Sequence, residues 1–253
     1  MPFLPLHDRN PRLRIARPWI TWGLIAACIF VFYLEASADP DAALRMIFGY
    51  GLTPAVLTGQ ARMDPAVGGV APLLTLLTYM FLHGGVMHLV GNMLFLWVFG
   101  DNVEDSMGHR RFLAFYAICG VAAALTQTAL DPGGTAPMIG ASGAVSGVLG
   151  GYLLLHPRAR ILVPIIVIPV WLPAYLLIVF WFVFQVTAAF GGGEAGVAWW
   201  AHIGGFVAGA VLTVFFRDPI LPLFGGGDRL PGGLRLGGRD AHARKPRRRG
   251  PWG

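Results

Sequence analysis

The sequence is poor in charge. Only 13% of its 253 residues are Asp, Glu, Lys or Arg, against about 25% in soluble domains. Meanwhile 55% are apolar and the mean hydropathy is +0.62. So few charges cannot cover so much apolar surface in water, which excludes a soluble globular protein and leaves a polytopic membrane protein. Cysteine is scarce too: Cys28 and Cys119 both lie inside apolar runs and read as small core residues, not as a disulfide pair. No Cys/His spacing suits a metal, and the absence of H-E-x-x-H removes a zinc intramembrane protease. Paired mid-span aspartates are missing. The soluble nucleophile elbow G-x-S-x-G fails at Ala144. A small-solute transporter, which would show internal repeats, finds none here.

What is present is a set of apolar runs long enough for the ~20 residues that a bilayer demands. They predict six spans: 19–36, 86–104, 111–130, a short one from Ser142 to His156, about 173–190, and Trp199 to Phe216. Trp19 and Trp22 anchor the first at an interface. The stretch 70–82, broken by His83-Gly84-Gly85, is too short to cross and suits a loop dipping into the membrane. Pro157 stops the fourth span. Pro164, Pro169 and Pro173 mark an irregular approach to the fifth. Six spans put both ends on one side. That side collects seventeen Arg and Lys residues, the other only Arg45 and Arg62, so a multi-pass protein of the cell inner membrane with both termini cytoplasmic is expected. Residues 1–18 then form a basic cytoplasmic segment, 19–217 the membrane domain, and 218–253 a basic Gly/Pro/Arg-rich tail expected to be disordered. Lipid is the expected partner of that tail, rather than nucleic acid.

The fourth span carries the functional signal. In "MIGASGAVSGVLGGY", from Met138, side chains shrink to Gly, Ala and Ser amid a chain otherwise rich in Leu, Val and Phe. Fifteen residues make about 22 Å of helix, less than the ~30 Å apolar core. With its Pro157 end at the inner surface, Ser142 lies roughly 8–10 Å below the outer one. His202 stands as far before Arg217 as Ser142 stands before Pro157, so the two share a depth. His88 and Asn92, four apart on the second span, face one way at a similar level. Each polar residue alone has a structural explanation: a carbonyl cap for the histidine, self-bonding for the serine, interhelical glue for Asn92. Together at one depth they read as a site. Gly143, Gly147 and Gly151 on the fourth span, and Gly205 and Gly209 on the sixth, form small-residue ridges that let the two backbones touch, which also brings Ser142 to His202.

The chemistry this allows is nucleophilic. His202 takes the serine proton and returns it to a leaving amine. Glu35, Asp131 and Glu194 sit at span ends, so a dyad is expected instead of a triad. Asn92, His88 and the backbone N–H groups at the start of the fourth helix supply oxyanion donors. Gly140 lets the chain turn sharply into that helix.

The motifs "HGGVMHLVGN" at 83–92, "GASG" at 140–143 and "AHIGGFVAG" at 201–209, in that order on six spans, resemble the bacterial-type rhomboid intramembrane serine proteases over about 19–217. The resemblance implies an all-α, six-helix rhomboid-like bundle with an embedded first external loop. It implies Ser142 as nucleophile and His202 as base. His88, Asn92, Gly140 and Ala141 fall at the oxyanion and substrate-binding positions, and His83, Gly143, Gly205 and Gly209 at structural ones. No cofactor or metal is implied, and the substrates would be single-pass membrane proteins cut near the outer face. A Trp-Arg pair common in the family's first loop is Leu74-Thr75 here. An aromatic residue one turn after the nucleophile is Ser146, so the His202 ring must be held by something else. A catalytically silent scaffold that binds client helices is the alternative. Helix five, with Trp181, Phe182 and Phe184, and the first loop are the candidates for the element that admits a substrate.

Overall fold

In the computed structural model, residues 4–166, 168–193 and 196–225 are described. Glu194 and most of the predicted tail, 226–253, lie outside them. A short strand, β1 (His7–Arg9), precedes α1 (Trp19–Ser37). The loop between α1 and α5, the one expected to be the outer loop, then contains α2 (Pro40–Tyr50), the single turns α3 (Pro54–Leu57) and α4 (Thr75–Thr78), and several 3-10 turns. The remaining helices are α5 (Val86–Met107), α6 (His109–Leu130), α7 (Ser142–Leu155), α8 (Ala174–Gly191) and α9 (Trp199–Phe216). Two strands, β2 (Arg160–Ile165) and β3 (Ile168–Pro173), separate α7 from α8.

The six predicted spans are α1, α5, α6, α7, α8 and α9, with no end shifted by more than three residues. Five of them are long and apolar enough to cross a bilayer, while α7 has 14 residues. It is also enclosed: Gly143 through Tyr152 are all buried. Its glycines explain how. A Cβ on Gly147 would stand 3.1 Å from the Gly205 carbonyl oxygen, and Cβ atoms on Gly205 and Gly209 would collide with the carbonyls of Gly143 and Gly147. The α7–α9 seam is therefore backbone against backbone, as the two ridges predict. Gly151, one turn further on, faces the Thr213 hydroxyl across a gap that a Cβ would narrow to 2.8 Å. Cys119 of α6 fills the other side of Gly147, and both cysteines are free and buried.

The end of the bundle that holds Glu104 is tied by carboxylates. Pro18, at the head of α1, offers no side-chain acceptor. The orphan donors of that first turn go instead to Glu104 near the end of α5, which accepts from Ile20 N (3.0 Å), Thr21 N (2.8 Å) and Thr21 Oγ1 (2.7 Å). Asp105 accepts from the backbone N–H groups of Leu13, Arg14 and Ile15 at 2.7–2.9 Å. The chain before α1 is thus folded onto α5. Asp8 adds to this, accepting from Asn102 and from Tyr152 of α7, each at 2.8 Å.

The approach to helix five differs from the expected irregular stretch. It is an antiparallel hairpin, Arg160↔Pro173 to Ile165↔Ile168, with β1 on the free edge of β2 through His7↔Leu162. Ile165↔Ile168 is the closing pair of the ladder, and the closing pair of a tight hairpin is a hydrogen-bonded one. Alternation then puts Pro164↔Pro169 and Arg160↔Pro173 in non-hydrogen-bonded pairs. All three prolines fall where no ladder N–H is needed. Ile161 and Val163, on one face of β2, join the bundle's core.

Candidate active site

Ser142 opens α7. The loop before it is pinned to the outer loop by paired bonds between Leu52 and Met138, N–H to carbonyl at 3.0 and 2.7 Å. Gly140 then makes the turn at φ +113°, donating its N–H to the Tyr79 carbonyl at 2.9 Å. Any side chain there would be strained, and its Cβ would also meet the His88 ring at 2.6 Å. The segment 70–82, predicted to dip into the membrane, is what Gly140 leans on. Tyr79, Met80 and Leu82 are buried, and the Tyr79 hydroxyl donates to the Gly120 carbonyl of α6 at 2.9 Å. Ala141, the residue before the helix, is fully buried and brings no side-chain cap. The leading N–H groups of α7 therefore have no side-chain cap.

His202 lies in the first turn of α9. Its Nε2 is 2.8 Å from Ser142 Oγ. The glycine seam described above sets this pairing, because helices whose backbones touch at Gly143 and Gly205 bring together Ser142, the residue just before Gly143, and His202, about one turn before Gly205. Two indole rings flank the imidazole, Trp199 edge-on at 6.1 Å and Trp181 tilted at 6.2 Å between ring centres. Ser146, where some members of the family the sequence resembles have an aromatic ring, donates to the Ser142 carbonyl at 2.6 Å and leaves the histidine alone.

His88 and Asn92 come from one face of α5. Both approach Gly140: a Cβ at that glycine would be 2.7 Å from His88 Nε2 and 3.6 Å from Asn92 Nδ2. Asn92 is fully buried, yet neither its Oδ1 nor its Nδ2 has a partner. Buried amides are almost always bonded, so this open amide close to Gly140 is an exception among the described residues of α5. His83 is set apart. Its N–H donates to Glu35 Oε2 (3.3 Å), its Nδ1 lies 3.2 Å from the Phe81 carbonyl, and its ring meets His88 edge-on at 5.3 Å.

Sequence reasoning missed one member of this cluster. Gln185 of α8 places its Oε1 2.8 Å from His202 Nδ1. The available signal was a lone amide in the run "IVFWFVFQV", because polar groups inside spans are seldom idle. The two outer-loop cavities, of about 230 and 520 Å³, are lined by α2 and by residues between Gly51 and Thr75, with Thr135 beside them, and touch neither Ser142 nor His202.

Known proteins resemble the chain over this region. The Rhomboid domain family matches residues 71–219, a span holding every site residue named above. RHOMBOID-like protein 5 of Arabidopsis thaliana is 31% identical over 168 residues, covering 58% of this chain and 53% of the plant protein. Rhomboid protease GluP of Bacillus subtilis is 31% identical over 202 residues, 78% of this chain and 35% of its own length. Rhomboid-like protease 3 of Toxoplasma gondii is 26% identical over 207 residues, 80% of this chain and 69% of the relative. The chain thus spans about half of the plant relative and about a third of the Bacillus one.

Proposed function

Because the chain belongs to the rhomboid family of multi-pass membrane proteins, we propose that it is an intramembrane serine endopeptidase working through Ser142 and His202. The serine hydroxyl attacks the scissile carbonyl while His202 Nε2 takes its proton. The same nitrogen then protonates the departing amine. The resulting acyl-enzyme is hydrolysed by a water that His202 deprotonates in turn. The tetrahedral oxyanion is bound by the Asn92 amide, by His88, and by the backbone N–H groups at Ala141 and Ser142, with the α7 dipole adding to them. The single observation that carries this reading is the 2.8 Å contact between Ser142 Oγ and His202 Nε2, made between two different helices. The unpartnered Asn92 amide beside it supports the oxyanion assignment.

The substrates on this reading are single-pass membrane proteins whose helix unwinds close to the outer face. The protein resides in an inner membrane with both ends cytoplasmic, the excess of arginine on that side being the support. Residues 19–217 form the membrane domain between two basic segments. The structural members are His83 and the seam glycines Gly143, Gly205 and Gly209.

The test uses a fluorophosphonate probe and a reporter substrate with one transmembrane segment. The wild type is expected to label and to cut, and Ser142→Ala to do neither. Labelling that persists in Ser142→Ala would place the nucleophile elsewhere. A wild type that binds the reporter helix without labelling or cutting would instead be a non-catalytic scaffold.

A further inference from the structure

We propose that Gln185 is a positioning residue that selects the tautomer and fixes the tilt of the His202 imidazole, so that the reacting unit is a chain of serine, histidine and neutral amide instead of a dyad. This rests on the reading of Ser142 and His202 as the reacting pair.

The argument begins with burial. Gln185 is 2% exposed, whereas its neighbours on the outer side of α8, Val183 and Phe184, are 52% and 40% exposed. A primary amide placed on the buried side of an apolar span is costly unless it is bonded. Its carbonyl oxygen meets His202 Nδ1 at 2.8 Å. That oxygen carries no hydrogen and can only accept, so the facing ring nitrogen must donate. In a neutral imidazole the proton is then on Nδ1 and the lone pair on Nε2. Nε2 is the atom 2.8 Å from Ser142 Oγ. The contact thus leaves the bare nitrogen where a serine proton has to go. The reversed amide would put the ring proton on Nε2, and His202 could no longer receive the hydroxyl proton.

Nothing on α7 performs this task, because Ser146 is engaged with the Ser142 carbonyl. The indoles of Trp181 and Trp199 confine the ring, but they do not distinguish its two nitrogens. An amide also does this without adding a charge. A carboxylate at the same place would stabilise the imidazolium yet have to be buried inside the span. Finally, Gln185 belongs to neither helix of the reacting pair. It rides on α8, which is held against α9 by Phe182 stacked on Phe206 at 4.3 Å. The readiness of the base is therefore tied to the seating of α8.

The experiment combines kinetics with ¹⁵N-histidine NMR of the full chain in lipid, the His202 signal being identified by its loss in His202→Ala. In the wild type, His202 is expected as the Nδ1–H tautomer. In Gln185→Leu that preference should disappear. There, kcat should fall at least about tenfold, towards the ~10⁴-fold that a wrong tautomer costs in a Ser-His-Asp protease, with KM within about twofold. Gln185→Glu keeps an acceptor and should recover much of the lost kcat. Its carboxylate favours the protonated ring, so the acid limb of its kcat/KM profile should move to higher pH. The proposal is overturned by a wild-type His202 with its proton on Nε2. It is equally overturned by Gln185→Leu turning over like wild type, or by Gln185→Glu no better than a folded Gln185→Leu. Should Gln185→Leu not fold, the wild-type tautomer and the Gln185→Glu profile decide. A wild type that neither labels nor cuts sinks the protease reading instead, and the tautomer measurement still stands by itself.

Discussion

At the Glu104 end of the bundle, buried carboxylates gather more donors than a carboxyl usually finds; at the Ser142 end, a buried amide finds none. Glu104 and Asp105 each accept three N–H or O–H groups from the chain around α1. Asn92, equally buried, has neither atom of its amide engaged. Unpartnered atoms are not confined to that end, since Asn10 Nδ2 and Arg217 Nε also lack partners, but those residues keep other atoms of the side chain on or near the surface. The difference separates two uses of polarity in a membrane protein. Satisfied groups hold elements together, and loss of one leaves others stranded. Open groups add no bond to the resting fold, and on the reading proposed above the Asn92 amide is the one that an oxyanion would engage.

Substitutions at the two ends should therefore fail in opposite ways. The largest effect is expected from Ser142→Ala or His202→Ala, each lowering cleavage of a reporter helix by about 10⁴-fold or more while the melting temperature in detergent stays put. Next, Asn92→Ala should lower kcat by ~10²–10³-fold with no loss of stability, because no existing bond is broken. A parallel fall in melting temperature would remove the distinction. Glu104→Ala should do the reverse. It strands the donors of Ile20 and Thr21 and should cost about 3 kcal/mol in unfolding, with unchanged turnover per folded molecule. The smallest effect concerns Asp8, whose carboxyl is pushed by burial from 3.8 up to about 6, against the lowering bonds from Tyr152 and its own backbone and the Arg12 charge. A raised acid stabilises the fold below its unfolded pKa and loses that contribution as pH climbs through the folded one. Stability should decline by about 2 kcal/mol between pH 4 and pH 6. Asp8→Asn, followed by thermal melts over that range, should flatten the slope.

How much of this was legible beforehand depended on whether a residue's meaning is local. That Ser142 and His202 lie level with each other follows from counting to Pro157 and Arg217, because a helix rises by a fixed amount per residue. The α7–α9 seam follows from glycine spacing. The hairpin after α7 was hidden by its prolines, which argue against a helix and were read as a mere approach. Their parity was the clue, as Pro169 and Pro173 are an even number apart on one strand and Pro164 pairs with Pro169. Gln185 was illegible for a different reason. No motif surrounds it, and its partner lies 17 residues away on another helix. Which side of α8 faces the bundle is set by packing of Phe182 and Trp181 on Phe206, not by any period in a helix apolar all round. The carboxylate ties of Glu104 likewise needed the fold, because their partners are backbone atoms that every residue possesses.

The enclosure of α7 has one more consequence. A short helix lying in lipid would draw the bilayer in around itself or tilt to suit it. Walled by α5, α6 and α9 instead, this one is a rigid gauge block whose height belongs to the protein. A thicker or thinner membrane shifts the water surface while the hydroxyl stays where its neighbours hold it. The distance from that surface to the cut on a given substrate would then be a property of the bilayer chosen, and the same client reconstituted in lipids of different chain length should be trimmed at different bonds.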